Sequence, residues 1–459
     1  MSVDRSIFKS YDIRGFYPEQ INLETAEQIA KSYILTLSKI LNKEIQELKI
    51  AVGYDIRQAS QPLGQALIAT CLKLGVAVDD LGLISVNDIY FATGFYQYDG
   101  GVMLTASHNP AGYGGMKMVY LDPNFKNSVG AISGQEILNN FDEAQKINFS
   151  DNEGQLGKCD FFNDHLNHVL DFVDQTKIRP LKIVVDSGNG MNGKMAKAIL
   201  EKLNCQVIEL FAEPDGNFPN RAPNPLEKDA QQKCAQVILE NQADFGVMFD
   251  VDGDRMFLVD EQGNFIRGDQ VLILLAKSML EKNPGAGIVY NLISTHAVRE
   301  LVTEWGGRAI RSEVGYKNLT RHMKKSDAIM SGEVSGHFAF AKNYYIDNGF
   351  IAMALATEVI CEAGESLSKL MSEFKLYAKG DEINLKVTDI SARLDEIRQA
   401  YRSNILDEID GITVEFENWW FNVRPSNTEP LLRVTVEAQT AEMLAEKTAE
   451  VVGLIEKNN

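Results

Sequence analysis

Short apolar runs alternate with helical patterns through most of the chain. An apolar run at residues 48–53 precedes a helical pattern at 61–74, and the alternation continues to a run at 287–292 and a helical pattern at 295–305. Strands that alternate with helices are typical of parallel sheets covered by those helices. The pattern therefore predicts an α/β fold with mostly parallel strands. Further strands are predicted at 101–105, 116–120, 181–185, 207–211 and 245–249, and further helices at 193–203, 229–241 and 269–282.

The pattern changes after residue 380. Antiparallel strands are predicted at 382–387, 413–423 and 431–437, with helices at 391–402 and 441–455. A polar stretch at 148–158 and a glycine-asparagine turn at 263–264 mark two candidate boundaries. We therefore predict three α/β domains, at residues 1–152, 153–262 and 263–375, and a smaller α+β domain at residues 376–459.

Composition restricts the class of partner. The 459 residues are 45% hydrophobic and 24% charged, which is ordinary for a globular protein with large cores. The formal net charge of −19 disfavours nucleic acid and anionic membranes, because both are polyanions. Five cysteines without CxxC spacing indicate a reducing compartment. The sequence has neither an apolar signal segment nor a membrane-length apolar run, so we expect a cytoplasmic protein.

Three carboxylates follow the predicted strand at 245–249, at alternate positions. Asp250, Asp252 and Asp254 would repel one another on a turn unless a hard divalent cation neutralised them. A calcium EF-hand is the first alternative, because Glu261 would then fall at loop position 12. However, position 6 of that loop requires glycine and is Arg255 here, and the flanking segments are strand-like. The pattern favours a magnesium-type site, with a purely structural acidic turn as the remaining alternative.

A second candidate is Ser107, in the loop 105–110 after the predicted strand at 101–105. Ligands of α/β sheets bind at the carboxyl ends of strands, which is where this loop lies. By itself the Ser107–His108 pair is more typical of an ordinary polar loop. A hydrolytic triad is disfavoured, because no GxSxG motif is present and adjacent side chains are expected to point apart. Lys117, on the next predicted strand, can return to the same edge or be a solvated strand-edge lysine.

Residues 188–193 match the GxGxxG dinucleotide fingerprint. Glu209 lies about 20 residues further on, as the ribose-binding acid should. An NAD-dependent oxidoreductase is therefore an alternative from a different class. A tight strand-to-helix turn requires the same glycines without any nucleotide, and the dinucleotide interpretation leaves the Asp cluster and the serine loop unexplained.

Two further loops are rich in polar ligands. The segment 332–337 places Glu333, Ser335 and His337 between glycines, with the first two facing one side of an extended segment. The segment 424–430 combines a guanidinium, two hydroxyls and an amide, which is a suitable phosphate cradle; its candidate ligands are Arg424, Ser426, Asn427 and Thr428. Each loop alone could be an ordinary turn, but all of these motifs being ordinary at once is much less probable.

Taken in order, these motifs resemble the alpha-D-phosphohexomutase family, in particular its phosphomannomutase/phosphoglucomutase branch. The resemblance extends over the whole chain and rests on five motifs: YDIRG at 11–15, TASHNP at 105–110, DVDGDR at 250–255, GEVSGH at 332–337 and RPSNTEP at 424–430. In this family the glycine turn at residue 188 occurs without NAD. The resemblance implies three mixed-sheet α/β domains and a smaller α+β domain around a central cleft. In chain order these are the phosphoserine, metal-binding, sugar-binding and phosphate-binding domains.

The resemblance also implies a role for each site residue. Ser107 would carry the phosphoryl group, with Arg14 and Lys117 beside it and His337 as a proton-transfer partner. A phosphate oxygen on Ser107 would hold Mg2+ together with the three aspartates of the 250–254 loop. The implied substrate-binding residues are Tyr11, Arg255, Tyr316, Glu333, Ser335, Arg424, Ser426, Asn427 and Thr428.

The implied reaction interconverts hexose 1-phosphates and hexose 6-phosphates. It would pass through a hexose 1,6-bisphosphate, which also serves as activator, and small phosphorylated sugars would be the partners of a monomer or homodimer. The phosphoglucosamine branch usually has glycine where this chain has Asn427, so mannose or glucose phosphates are favoured over that alternative. Tyr316 stands where the family's VGH loop has histidine, and this departure bears on sugar selectivity and proton transfer. A third alternative is a non-catalytic calcium-binding module.

Overall fold

In the computed structural model, residues 3–374, 377–426 and 431–457 are described. The chain divides by its internal contacts into two compact units. One unit comprises Met1–Val271 with Ser335–Ser368, and the other comprises Leu272–Val334 with Lys369–Asn459. No helix in the described ranges combines the length and apolar character that crossing a bilayer requires. The four predicted domain ranges remain predictions, because this division groups the chain differently.

The first sheet has seven strands in the order β1-β5-β4-β2-β3-β7, with β6 beside β5. These strands are β1 (Ile13–Phe16), β2 (Lys49–Tyr54), β3 (Ala77–Leu83), β4 (Gly100–Leu104), β5 (Tyr113–Leu121), β6 (Val129–Ile132) and β7 (Leu156–Gly157). Its helices are α1 (Leu23–Leu41), α2 (Ser60–Lys73), α3 (Val86–Phe95), α4 (Gly134–Asn139) and α5 (Phe141–Ala144). Strand β2 is parallel to β3 and β4, whereas β5 is antiparallel to β1, β4 and β6.

The second sheet has five strands in the order β12-β11-β10-β8-β9. They are β8 (Lys182–Asp186), β9 (Gln206–Leu210), β10 (Phe245–Phe249), β11 (Met256–Asp260) and β12 (Phe265–Ile266), and the helices are α6 (Phe162–Leu170), α7 (Gly193–Lys202) and α8 (Lys228–Asn241). Strand β8 is parallel to β9 and β10, but β10 and β11 form an antiparallel hairpin. Its last pair, Phe249 opposite Met256, closes directly on residues 250–255.

The third group begins with α9 (Gly268–Lys282). Strand β13 is parallel to both β14 and β15, whereas β16 and β17 pair antiparallel. The elements are β13 (Gly287–Asn291), α10 (His296–Glu304), β14 (Arg308–Ser312), α11 (Tyr316–Ser326), β15 (Ala328–Gly332), β16 (Phe338–Phe340), β17 (Ile346–Asp347) and α12 (Gly349–Ala363).

After α13 (Leu367–Phe374), the last sheet is antiparallel in all its pairings. Its strands are β18 (Ala378–Lys379), β19 (Ile383–Lys386), β20 (Ile405–Asp407), β21 (Ile412–Glu415), β22 (Trp419–Pro425) and β23 (Leu431–Ala438), and its helices are α14 (Ile390–Ala400) and α15 (Ala441–Glu456). The prediction of a single strand at 413–423 was wrong, because this segment forms two strands. The chain turns between β21 and β22, and Phe416 donates its backbone N–H to the Trp419 carbonyl to close that turn.

The predicted class of three α/β domains and a smaller C-terminal α+β domain is confirmed. The prediction of mostly parallel sheets needs correction, because each of the first three strand groups contains antiparallel pairs. Antiparallel hairpins place loops of a few residues at the carboxyl ends of the central strands. Two such loops, after β4 and after β10, carry the predicted serine and aspartates.

Candidate active site

Ser107 lies in the loop that joins β4 to β5. Its side chain is buried, and its φ of 50° is in the left-handed region, which a residue with a Cβ rarely adopts. Its N–H donates to Thr105 Oγ1 at 2.9 Å, and its Oγ lies 3.3 Å from His108 Nδ1. The expectation that the Ser107 and His108 side chains point apart was wrong, because alternation holds for extended backbone and not for a left-handed turn.

Arg57 holds this loop through its backbone. Its guanidinium donates to the carbonyls of Ser107, Asn109 (2.6 Å) and Pro110 (2.8 Å). The Arg57 side chain is completely buried, and its Nε lies 3.2 Å from Asp55 Oδ2. One buried cation therefore fixes three backbone carbonyls of the loop. Neither Arg57 nor Asp55 was predicted as a site residue, although both follow β2, whose carboxyl end lies beside that of β4.

Arg14 reaches the same loop from β1. Its Nη1 donates to Asn109 Oδ1 at 2.6 Å, and its Nε and Nη2 donate to Asp12 Oδ2 at 2.9 and 2.7 Å. The structure thus brings Arg14 to the Ser107 loop, as expected from the sequence. Tyr11 is half-buried and precedes β1 on the same segment.

The three aspartates converge in the β10–β11 hairpin loop. Asp250, Asp252 and Asp254 are buried and each offers a carboxylate oxygen within 4.8 Å of the others. Ser107 Oγ donates to Asp250 Oδ2 at 3.3 Å. Lys117 Nζ lies 2.8 Å from Asp252 Oδ2 and 2.5 Å from Asp254 Oδ2. The serine, the lysine and the acidic cluster therefore form one site within the first unit, and Lys117 is not a solvated strand-edge residue.

The electrostatics of the cluster favour a cation. Burial and the neighbouring Asp252 and Asp254 raise the pKa of Asp250 to about 8. Burial would also raise the pKa of Asp254, but Lys117 and other cations outweigh it and hold that pKa well below its usual range. Among the described residues, Asp252 Oδ1 and Asp254 Oδ1 are buried without a hydrogen-bond partner. Oxygen ligands with unused lone pairs fit a hard divalent cation.

The cations around Ser107 also set the state of His108. Arg255 is the largest influence, followed by burial and by Arg14 and Lys117, and together they hold the pKa of His108 well below its usual range. The imidazole is therefore neutral at physiological pH. Burial would lower the pKa of Lys117, but Asp252 and Asp254 outweigh it and raise that pKa.

The EF-hand alternative does not fit this loop. It is flanked by paired strands instead of helices. Glu261, the residue at position 12 of that motif, accepts hydrogen bonds from the backbone N–H and the hydroxyl of Ser368. Its carboxylate is therefore engaged away from the aspartates.

The glycine turn at 188–193 has a structural reason that involves no nucleotide. A Cβ on Gly190 would overlap the carbonyl oxygen of Val251, inside the aspartate loop. Asn192 donates from Nδ2 to the Asp250 carbonyl at 2.8 Å. Glu209, the expected ribose ligand, pairs with Lys197. The glycines thus allow the turn to approach the aspartate loop closely, and the NAD-dependent alternative loses its main support.

His337 and Arg255, two further predicted site residues of the first unit, contact each other and the aspartate cluster. Arg255 Nε donates to His337 Nε2 at 3.1 Å and lies 3.7 Å from Asp250 Oδ2. His337 Nδ1 lies 3.2 Å from Asp347 Oδ2 and 3.9 Å from Asp254 Oδ2. Burial would lower the pKa of His337, but these two carboxylates outweigh it and raise the pKa. Ser335 precedes His337 by two residues and is half-buried.

In the second unit, Glu333 and the loop before α11 meet. Glu333 Oε1 accepts from the Gly315 N–H at 2.8 Å and from Asn291 Nδ2 at 3.4 Å. Tyr316 directly follows Gly315, whose φ of 112° suits glycine. The two predicted sugar-binding segments therefore meet at the carboxyl ends of β14 and β15, the strands on either side of β13.

The predicted phosphate cradle is partly described. Arg424 Nη2 donates to Glu382 Oε1 at 2.8 Å, and Arg433, its cross-strand neighbour, donates to Glu382 Oε2 at 3.3 Å and to Ser426 Oγ at 3.3 Å. Two guanidiniums share one carboxylate, so a positive charge remains for an anion. Arg433 was missed, because its proximity depends on the pairing of β22 and β23. Asn427 and Thr428 lie outside the described residues.

Comparison with known proteins shows which family has this sequence and fold. Four models of the phosphoglucomutase/phosphomannomutase family match the chain: alpha/beta/alpha domains I, II and III over residues 5–134, 160–263 and 267–377, and the C-terminal domain over residues 382–454. The chain is 38% identical to a phosphomannomutase of Vibrio cholerae, covering 98% of both chains. It is 34% identical to phosphohexose mutases of Xanthomonas campestris, again covering 98% of both.

A solved structure has a fold similar to that of this chain. A phosphoglucomutase/phosphomannomutase family protein from Burkholderia thailandensis has a TM-score of 0.87 and 28% identity to this chain, covering 99% of this chain and 98% of that one. Fold and site together define a multidomain α/β protein in which an acidic triad faces a buried serine. The chain belongs to the phosphoglucomutase/phosphomannomutase family.

The contacts of Arg57 predict a large stability effect. We expect Arg57→Ala to lower the free energy of unfolding by about 3–5 kcal/mol, because it leaves Asp55 as an unpaired buried charge. Arg57→Lys should recover only part of this loss, since an ammonium cannot reproduce the guanidinium fork. Urea denaturation followed by circular dichroism measures the change.

The matched control for Arg57 is Lys43→Ala. Lys43 pairs with Asp99 in the same domain, but its side chain is 46% exposed. We expect a loss of at most about 1 kcal/mol for this partly exposed pair. Equal losses for the Arg57→Ala and Lys43→Ala variants would contradict the anchoring role of Arg57.

Proposed function

We propose that the chain is a phosphohexose mutase that interconverts hexose 1-phosphates and hexose 6-phosphates through a phosphorylated Ser107 and a hexose 1,6-bisphosphate. One observation carries this proposal: the Ser107 hydroxyl is buried 3.3 Å from Asp250, in a cluster where Lys117 bridges Asp252 and Asp254. A hydrolytic triad would need the base beside the serine, here His108, to be oriented by a third group, whereas a phosphoryl carrier needs cations around it.

Phosphoryl transfer depends mainly on positioning and on charge neutralisation. A phosphoserine carries a charge of about −1.5 to −2 at neutral pH. Lys117, Arg14 and Arg255 contact the Ser107 loop or the aspartate cluster beside it, and we assign to them the neutralisation of this charge. Arg57 fixes the backbone of the loop, so the serine oxygen keeps the same position whichever end of the sugar reacts.

We assign a divalent cation, Mg2+, to Asp250, Asp252, Asp254 and a phosphate oxygen on Ser107. When bound, it would neutralise charge on the phosphoryl oxygens as a Lewis acid. The unused lone pairs of Asp252 and Asp254 support this assignment.

We assign the proton transfer to His337. The hydroxyl of the sugar that accepts the phosphoryl group must lose a proton, and the serine oxygen must regain one when the group leaves it. A histidine paired with Asp347 can hold such a proton between the two half-reactions.

Substrate recognition is assigned to the polar loops. Glu333, Ser335, Tyr11 and Tyr316 would contact sugar hydroxyls, and Arg424, Ser426, Asn427 and Thr428 would hold the phosphate that is not reacting. A hexose 1,6-bisphosphate would prime Ser107 as activator. The relatives named as phosphomannomutases support mannose phosphates as substrates. The match to a phosphoglucomutase/phosphomannomutase family protein supports glucose phosphates as further substrates. We further propose a cytoplasmic monomer or homodimer.

Turnover tests the proposal. With Mg2+ and a bisphosphate primer, we expect the purified chain to convert mannose 1-phosphate and glucose 1-phosphate to their 6-phosphates in a coupled assay. Ser107→Ala should lower kcat by on the order of 10³-fold or more, because the phosphoryl carrier is lost. Ser150→Ala, a change of the same kind away from the site, should leave kcat unchanged. Absence of turnover on every hexose phosphate would refute the proposed function.

The branch within the family is tested by Asn427→Gly. If the Asn427 amide binds the non-reacting phosphate, its loss removes a hydrogen bond to a charged group, so kcat/KM for mannose 1-phosphate should fall about tenfold. Glucosamine 1-phosphate should be the poorer substrate of the unaltered protein. Unchanged kinetics in the Asn427→Gly variant, or a preference for the glucosamine phosphate, would favour the phosphoglucosamine alternative.

A further inference from the structure

The aspartate loop is held by donors that lie outside its own hairpin. Its first four residues, 250–253, each present a backbone carbonyl to another segment of the first unit. The donors are Asn192 Nδ2 to Asp250 (2.8 Å), Met191 N–H to Val251 (3.1 Å), Val86 N–H to Asp252 (2.9 Å) and Asn87 Nδ2 to Gly253 (2.6 Å). The carbonyls are therefore all engaged by the surrounding scaffold.

Asn87 occupies a special place among these donors. It is fully buried in the first turn of α3, and its Oδ1 also accepts from the Gly349 N–H at 3.4 Å. Gly349 begins α12, and a Cβ at that position would lie 2.6 Å from the Gly253 carbonyl oxygen. One amide thus links α3, the aspartate loop and α12 at Gly253, the residue between Asp252 and Asp254.

The loop needs such support because its three carboxylates repel one another in the conformation that brings them together. Three carboxylates within 4.8 Å of one another repel strongly in a buried setting. Lys117 bridges Asp252 and Asp254 and offsets part of this repulsion, and the remainder favours backbone conformations that move the carboxylates apart. Gly253, with a φ of 86°, has the freedom to change conformation between them. A hydrogen bond that fixes the Gly253 carbonyl therefore acts on the residue whose backbone dihedral angles can change most easily.

We propose that Asn87 is a positioning residue that holds Gly253 so that Asp252 and Asp254 keep their oxygens together for a divalent cation. The inference rests on the metal site of the proposed function. Asn87 touches neither a carboxylate of the cluster nor the reacting serine in the contacts that the structure gives it. Its effect is therefore expected on cation affinity and not on the phosphoryl transfer itself.

Direct cation binding tests this role. We expect Asn87→Ala, and Asn87→Leu, which fills the volume of the amide, to bind Mn2+ about 10- to 100-fold more weakly than the unaltered full-length chain. This is the usual cost of losing a group that orients metal ligands. Mn2+ titrations followed by electron paramagnetic resonance measure the affinity without turnover. At saturating Mg2+, kcat should recover and the KM for hexose phosphate should stay unchanged.

Asn343→Ala is the matched control. Asn343 is also fully buried in the first unit, donates to the Ile346 carbonyl at 3.1 Å and contacts His168 at 3.0 Å, so its loss removes two comparable contacts away from the aspartates. It should bind Mn2+ as the unaltered chain does. Equal Mn2+ affinities for Asn87→Ala and the unaltered chain, or equal losses for Asn87→Ala and Asn343→Ala, would overturn the inference.

Two further variants separate the remaining outcomes. Gly349→Ala presses on the Gly253 carbonyl from the opposite side, so it should also weaken Mn2+ binding; unaltered affinity there would overturn the inference even if the Asn87 variants failed to fold. Asp252→Asn tests the metal site itself. If it bound Mn2+ as tightly as the unaltered chain, the assigned site would be wrong, which is a failure of the proposed function and not of the role of Asn87 alone.

Discussion

The mutual repulsion of three buried carboxylates is the constraint on which the first unit's site depends. Lys117 and Arg255 lie close enough to compensate two of them, so one carboxylate charge remains uncompensated. Such a cluster is unfavourable unless positive charge is added, which a divalent cation would supply. A phosphoryl dianion on Ser107 would add negative charge beside it, so a bound cation and a phosphoryl group would favour each other's presence.

Much of the surrounding scaffold can be understood as support for this unfavourable arrangement. Arg221 is buried, pairs with Asp186 through Nε at 2.9 Å and donates to the Phe249 carbonyl at 2.6 Å, directly before the aspartate loop. The Ser107 loop has a corresponding buried pair in Arg57 and Asp55. In both cases an internal ion pair fixes backbone carbonyls, so that the reactive side chains are positioned by groups that do not themselves react. Buried pairs of this kind contribute geometry more reliably than net stability.

The predictable part of the site consists of residues whose signal is local in sequence. The aspartates at alternate positions after an apolar strand required no knowledge of distant contacts. For Lys117 the pattern left two alternatives, and the family resemblance favoured the site; the β4–β5 hairpin, in which Met103 stands opposite Lys117, brings it there. The α/β alternation of the first three domains was predictable for the same reason, since each strand and helix carries its own period.

The missed residues depend on contacts between distant segments. Asn87 and Gly253 are 166 positions apart, and Arg57 and Ser107 are 50 apart, so no local pattern shows that the members of either pair are in contact. The split of 413–423 into β21 and β22 was missed because Phe416 in the turn, and Trp419 and Trp420 directly after it, also suit a strand.

The central claim is that Ser107 carries the phosphoryl group in transit. The most direct measurement labels the full-length chain with a ³²P-bisphosphate, quenches the reaction, maps the labelled peptide, and repeats the quench after a brief chase with unlabelled hexose monophosphate. We predict acid-stable label on the peptide that contains Ser107, and its transfer to sugar within a single turnover. Label located on another peptide, or label on Ser107 that the chase does not remove, would contradict the account.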